Sequence, residues 1–115
     1  MTNALELNRL EEMGGSRIFP LPKYIALINW TDQGVRGVKD TPKRVQNAKA
    51  LARKLGGKID IHYTMGEYDA VAMVEMPSDE AYNRFTLTTA ALGNIRTKTL
   101  KAWTLEEFQK ITDQI

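Results

Sequence analysis

Tyr24-Ile25-Ala26-Leu27-Ile28-Asn29-Trp30 is the stretch on which the fold turns. It is apolar at nearly every position, without the in-out alternation of a strand that shows one face to water. Such a run predicts a central strand covered on both faces. Ala70 to Met76 has the same character and predicts a second central strand, closed by Pro77. Between them, Ile59, Ile61, Tyr63 and Met65 alternate with Lys58, Asp60, His62 and Thr64, which marks a strand with one wetter face. Ile95 to Trp103 reads as the last strand. The methionines Met65, Met73 and Met76 read as core filler.

Helices fill the gaps. Thr31-Asp32-Gln33-Gly34 breaks the first strand, and Val35 and Val38 suit a short helical turn. Val45, Ala48, Leu51, Ala52 and Leu55 then recur at helical spacing, predicting a main helix from about Pro42 to Leu55. Thr41 is its expected N-cap, with Pro42 at the first helical position, and Gly56-Gly57 its stop. Ser78 caps a second helix, with Asp79 and Glu80 favoured by the helix dipole, and Gly93-Asn94 ends it. Thr104-Leu105-Glu106-Glu107 has the form of a capping box and opens a short C-terminal helix to about Asp113.

The order strand, helix, strand, strand, helix, strand is the ferredoxin-like βαββαβ pattern, an α+β antiparallel sheet with helices on one face. Ile25, Leu27, Val71 and Met73 alternate with Ala26, Ile28, Ala72 and Val74, so both sheet faces are apolar at the centre. Helices bury one set. A second copy of the sheet is the simplest cover for the other, giving a dimeric α/β barrel. The expected partner is therefore the chain itself, as a homodimer or higher homo-oligomer.

Ahead of this domain, residues 23–115, stands an N-terminal extension, residues 1–22. Leu5, Leu7, Leu10 and Met13 allow two turns of helix, Gly14-Gly15-Ser16 stops it, and prolines punctuate Ile18 to Pro22. The extension reads as packing on its own domain or a partner subunit, as docking on another protein, or as disorder. Composition narrows the class. The chain has 115 residues, 43% of them hydrophobic and 26% charged, as in an ordinary globular domain. A formal net charge of +2, with acids between the basic residues, argues against nucleic acid. There is no cysteine, no apolar run near the ~20 residues of a membrane span and no secretory-type N-terminus, so a cytoplasmic setting away from membranes is expected.

Two further runs stand where an element hands over to a strand: Thr64-Met65-Gly66-Glu67-Tyr68-Asp69, and Leu92-Gly93-Asn94-Ile95-Arg96-Thr97-Lys98-Thr99-Leu100. Together with Tyr24–Trp30 they resemble the GYD domain family, from about Lys23 to Phe108. The Gly-Tyr-Asp signature is spread here by one residue, as Gly66-Glu67-Tyr68-Asp69. The resemblance implies the fold and no particular reaction.

Candidate ligand-binding residues follow from topology. Trp30 ends the first strand and Tyr68-Asp69 precede the third, its expected antiparallel neighbour. Arg96 opens the last strand, also expected beside the first. Asn29, Trp30, Tyr68, Asp69 and Arg96 should therefore meet at one end of the sheet, around a pocket between sheet and helices. Each has a plainer reading: a hairpin turn for Tyr68 and Asp69, a core wall for Trp30, a turn partner for Asn29, a solvated strand for Arg96 and Lys98. His62 is the only histidine and lacks companions at metal-ligand spacing, so no metal and no cofactor is expected. No phosphate loop, Ser-His-Asp arrangement or dinucleotide fingerprint is present. Catalytic residues cannot be named. Three functions are consistent with this: a homo-oligomeric binder of a small anionic or carbonyl-bearing molecule, an assembly module docking through residues 1–22, and a cofactor-free oxygenase or isomerase.

Overall fold

The computed structural model describes residues 21–115. The expected leader helix and its docking role fall on residues outside these. The chain runs β1 (Lys23–Trp30), α1 (Asp32–Arg36), a 3-10 turn (Val38–Asp40), α2 (Thr41–Lys54), β2 (Lys58–Tyr63), β3 (Ala70–Glu75), α3 (Asp79–Ala90), β4 (Ile95–Ala102) and α4 (Leu105–Thr112). The four strands form one antiparallel sheet in the order β2-β3-β1-β4, with the two doubly apolar strands at its centre. The fold is α+β and ferredoxin-like.

Register sorts the side chains. Ile59–Val74–Tyr24, Ile61–Ala72–Ala26 and Tyr63–Ala70–Ile28 stand in rows across β2, β3 and β1. Tyr24, Ala26, Ile28, Ala70, Ala72 and Val74 are buried under the helices, together with Ala52, Met76, Tyr82 and Phe85. The alternate row Met73–Ile25–Leu100 lies on the other face, where no helix among the described residues gives comparable burial: Met73 is 44% and Leu100 50% exposed. Met73 is thus a surface residue of the open face, and Met65, wholly exposed, belongs to a loop; of the three methionines read as core filler, Met76 is the buried one.

Local chemistry accounts for the helix ends. The Ser78 hydroxyl accepts from the Ala81 N–H at 3.1 Å. Thr104 and Glu107 form the capping box, each side chain accepting from the other's N–H, at 3.1 and 2.7 Å. At the end of α2 the Gly57 N–H reaches the Ala52 carbonyl and Gly56 N–H that of Arg53, a Schellman motif with Gly56 at φ 90°. Thr41, expected as an N-cap, is instead the first helical residue. The 3-10 turn runs straight into α2, so the cap position moves back to Asp40, and the Thr41 hydroxyl donates to the Val38 carbonyl at 2.5 Å.

β2 ends at Tyr63, two residues earlier than its alternation predicts. The reason is the signature loop. The Thr64 N–H donates to the Asp69 carbonyl and the Asp69 N–H to the Ile28 carbonyl, both at 2.9 Å, which closes the ladder before Met65.

Candidate functional site

A cavity of about 350 Å³ lies between the sheet and the helices. It follows from side-chain size. Ala26, Ala70 and Ala72 occupy inward positions of the two central strands, and Ala48 faces them from α2. Larger residues there would close the space; four methyl groups leave it open. Ile28, Leu51, Ile59, Ile61, Val74 and Phe85 complete apolar walls. α2 and α3, which roof the cavity, touch each other little.

Polar groups gather toward the end of the sheet where β1 and β2 finish. Trp30 and Tyr63 stack there, with ring centroids 5.9 Å apart and planes inclined by 15°. Arg44, on the first turn of α2, lines the cavity and donates from Nη1 to the Gly34 carbonyl at 3.2 Å. Gly37 makes room for this guanidinium, because a Cβ at Gly37 would overlap Arg44 Nη2. Burial pushes the Tyr63 phenol above its ordinary pKa, and the Arg44 charge pulls it the other way, so the two lie within each other's field. At the opposite end Tyr24 stacks on Tyr82 at 4.0 Å and donates to Asp79 Oδ1 at 2.5 Å, while Lys101 Nζ donates to the same oxygen at 2.6 Å. Burial first, and the Asp79 hydrogen bond second, push the Tyr24 phenol far up. This cluster pins the start of α3 to the sheet.

The signature residues act on backbone ends. Asp69 Oδ2 accepts from the Trp30 N–H at 2.9 Å and from Asn29 Nδ2 at 3.3 Å. The same Asn29 amide donates to the Glu67 carbonyl at 2.9 Å. The Thr64 hydroxyl donates to the Tyr68 carbonyl at 2.6 Å, and Gly66 takes φ 121°, a conformation that disfavours any side chain. The Leu92-Gly93-Asn94 run does the same for the other side of β1. Thr31 donates to the Gly93 carbonyl from its hydroxyl and to that of Asn94 from its N–H, at 2.6 and 3.1 Å. Gln33 Nε2 reaches the Leu92 carbonyl and Asn94 Oδ1, each at 2.9 Å.

The five residues singled out from the sequence divide between the two sheet faces. Trp30 and Asp69 line the cavity. Asn29 and Arg96 stand opposite each other across β1 and β4, on the open face, and do not line it. Tyr68 also stays outside it, with Lys98 Nζ 5.9 Å from its ring centroid. Arg44 and Tyr63 line the cavity and were not singled out. Arg44 carried a signal: with Ala48, Leu51 and Leu55 it falls at i, i+4, i+7 and i+11, a cation on the apolar stripe of α2. His62 is exposed beside Asp60 at 3.4 Å, and among the described residues no three His, Cys, Asp or Glu side chains cluster as a metal site would need. No helix among the described residues is long and apolar enough to cross a membrane.

This geometry, an alanine-floored cavity under a four-stranded ferredoxin-like sheet with a Gly66–Asp69 latch, defines a small α+β domain with an apolar site between sheet and helices. The chain belongs to the GYD domain family, whose model matches residues 24–112. The fold is similar to the crystal structure of HapK from Hahella chejuensis, at 18% identity and a TM-score of 0.57, over 74% of this chain and 93% of that one. A chlorite dismutase-like protein aligns at 16% identity and a TM-score of 0.49, over 85% of this chain and 52% of that one. No curated protein sequence matches the chain.

Proposed function

We propose that the protein is a homo-oligomeric binder of a small anionic or carbonyl-bearing molecule, held in the cavity between sheet and helices. The observation that carries this reading is the cavity itself. Protein interiors pack densely, and an apolar space of this size under a sheet is held open by specific small residues. Its volume falls at the lower end of the ~300–1,000 Å³ of small-molecule sites. Binding is favoured over catalysis by the lining. It includes no histidine, and its one carboxylate, Asp69, is engaged by the Trp30 N–H and the Asn29 amide. Among the described residues no histidine–carboxylate pair faces the space.

The homo-oligomer is supported by the open sheet face. Ile25, Leu27, Val71, Met73 and Leu100 share it, and a second copy laid face to face would take them out of water at roughly 25 cal/mol per Å² of apolar surface. The setting we infer is the cytoplasm, in keeping with a chain without cysteine.

Native mass spectrometry tests both parts together. A mass of two or more chains with retained small molecule is expected. A bare monomer under gentle conditions refutes the reading. Leu27→Asp, a charge at the centre of the open face, is expected to shift the mass to the monomer.

A further inference from the structure

We propose that the cavity's ligand is an aromatic monocarboxylate, its carboxylate clamped at the mouth by Arg44 and its flat body beside the Trp30–Tyr63 pair. The inference rests on the cavity being a ligand site and names the class of molecule it takes.

Arg44 stands where an apolar residue would be the default. It occupies the inward stripe of α2, and partial removal of its charge from water costs free energy unless an anion answers it. Its guanidinium spends one N–H on the Gly34 carbonyl, and among the described residues no carboxylate makes an ion pair with it. Asp40 Oδ2 borders the same space beside Gly37 that admits the guanidinium but does not come within ion-pair distance of it, and Asp69 has its Oδ2 turned to Trp30 and Asn29. A guanidinium presents a planar fork that fits a carboxylate in two parallel hydrogen bonds, which a neutral carbonyl cannot match.

The threonines of α3 offer little to a sugar-like ligand. The hydroxyls of Thr86, Thr88 and Thr89 on α3 donate back to the carbonyls of Asn83, Arg84 and Phe85 in their own helix. They show the cavity methyl groups and satisfied oxygens. Against that wall of α3 a molecule rich in hydroxyls would lose hydration without recovering it. A flat apolar body loses nothing there, and the stacked rings of Trp30 and Tyr63 offer it an aromatic edge to lie along.

Calorimetric titration of the whole protein with 2-naphthoate and 2-naphthamide tests the proposal. The two probes share a shape and a carbonyl and differ in charge. The acid is expected to bind about tenfold tighter, the size of one charge-assisted hydrogen bond over a neutral one. Arg44→Gln is expected to bring the acid down to the amide's affinity and leave the amide unchanged, and Arg44→Lys to keep part of the preference. Equal binding of both probes by the native protein, or a preference that survives Arg44→Gln, overturns the Arg44 clamp and leaves the cavity a ligand site. Binding of neither probe overturns the cavity reading and the clamp with it. Arg44 also holds the Gly34 carbonyl, so the comparison of acid with amide on the native protein decides the matter if the glutamine variant fails to fold.

Discussion

Asp69→Ala isolates the role of the signature loop. Trp30 ends β1, and its N–H points to the side where β3 has not yet begun, since the β1–β3 ladder stops at Ile28 opposite Ala70. Asp69 Oδ2 supplies the missing acceptor at 2.9 Å and also takes the Asn29 amide at 3.3 Å. Removing the carboxylate leaves a partly buried donor without a partner, which costs about 1–3 kcal/mol, and the lost bonds were to a charged acceptor, so about 2 kcal/mol is the expected loss. For a domain of this size that lowers the melting temperature by roughly 8–16 °C, at about 4–8 °C per kcal/mol. Asp69→Asn keeps an oxygen for the Trp30 N–H but not its charge, and about half the loss is expected. Thermal melts followed by circular dichroism measure the size of the effect. Hydrogen exchange of the Trp30 amide measures its place, since protection should fall there first. An unchanged melt with loss of ligand binding would refute the structural account and assign Asp69 to the site.

Gly57→Ala should cost about 1–3 kcal/mol, the usual range for overpacking, because its Cβ would overlap the Glu75 carbonyl oxygen and stand 2.7 Å from Met76 Sδ. A urea midpoint equal to that of the native chain would show that the α2–β2 connection has slack that the geometry denies. The Asp79 carboxyl is held below its ordinary pKa, first by the Lys101 hydrogen bond and next by that from Tyr24. The folded state thus releases this proton more readily than the unfolded chain. The stability it contributes is complete above the usual Asp range near pH ~4 and is lost as pH falls through the lower folded value. Asp79→Asn should flatten the acid limb of a stability-against-pH curve measured by urea midpoints, and coincident acid limbs would count against the Tyr24–Asp79–Lys101 cluster.

Much of this molecule was legible along the chain because its signals are local. Periodicity of 2 or 3.6 residues, Ser78 before Asp79, the Thr104–Glu107 box and Gly56-Gly57 each act within a few residues, and the elements they predict are those observed. The doubly apolar character of β1 and β3 likewise placed them at the centre of the sheet. What local pattern could not settle is which side of the sheet a chosen residue serves. Asn29 and Trp30 are neighbours in sequence, yet the pleat sends Trp30 to the cavity and Asn29, with Arg96 opposite it, to the open face. The site was decided at long range. Register across β1 and β3 sets Ala26 against Ala72 and places Ala70 beside them, and that juxtaposition, invisible in any single strand, leaves the cavity open. Arg44 reaches its mouth because Gly34 and Gly37, seven and more residues before it, come close enough to hold and admit a guanidinium. Helix and strand follow from neighbours along the chain; a cavity follows from the side chains that packing places face to face.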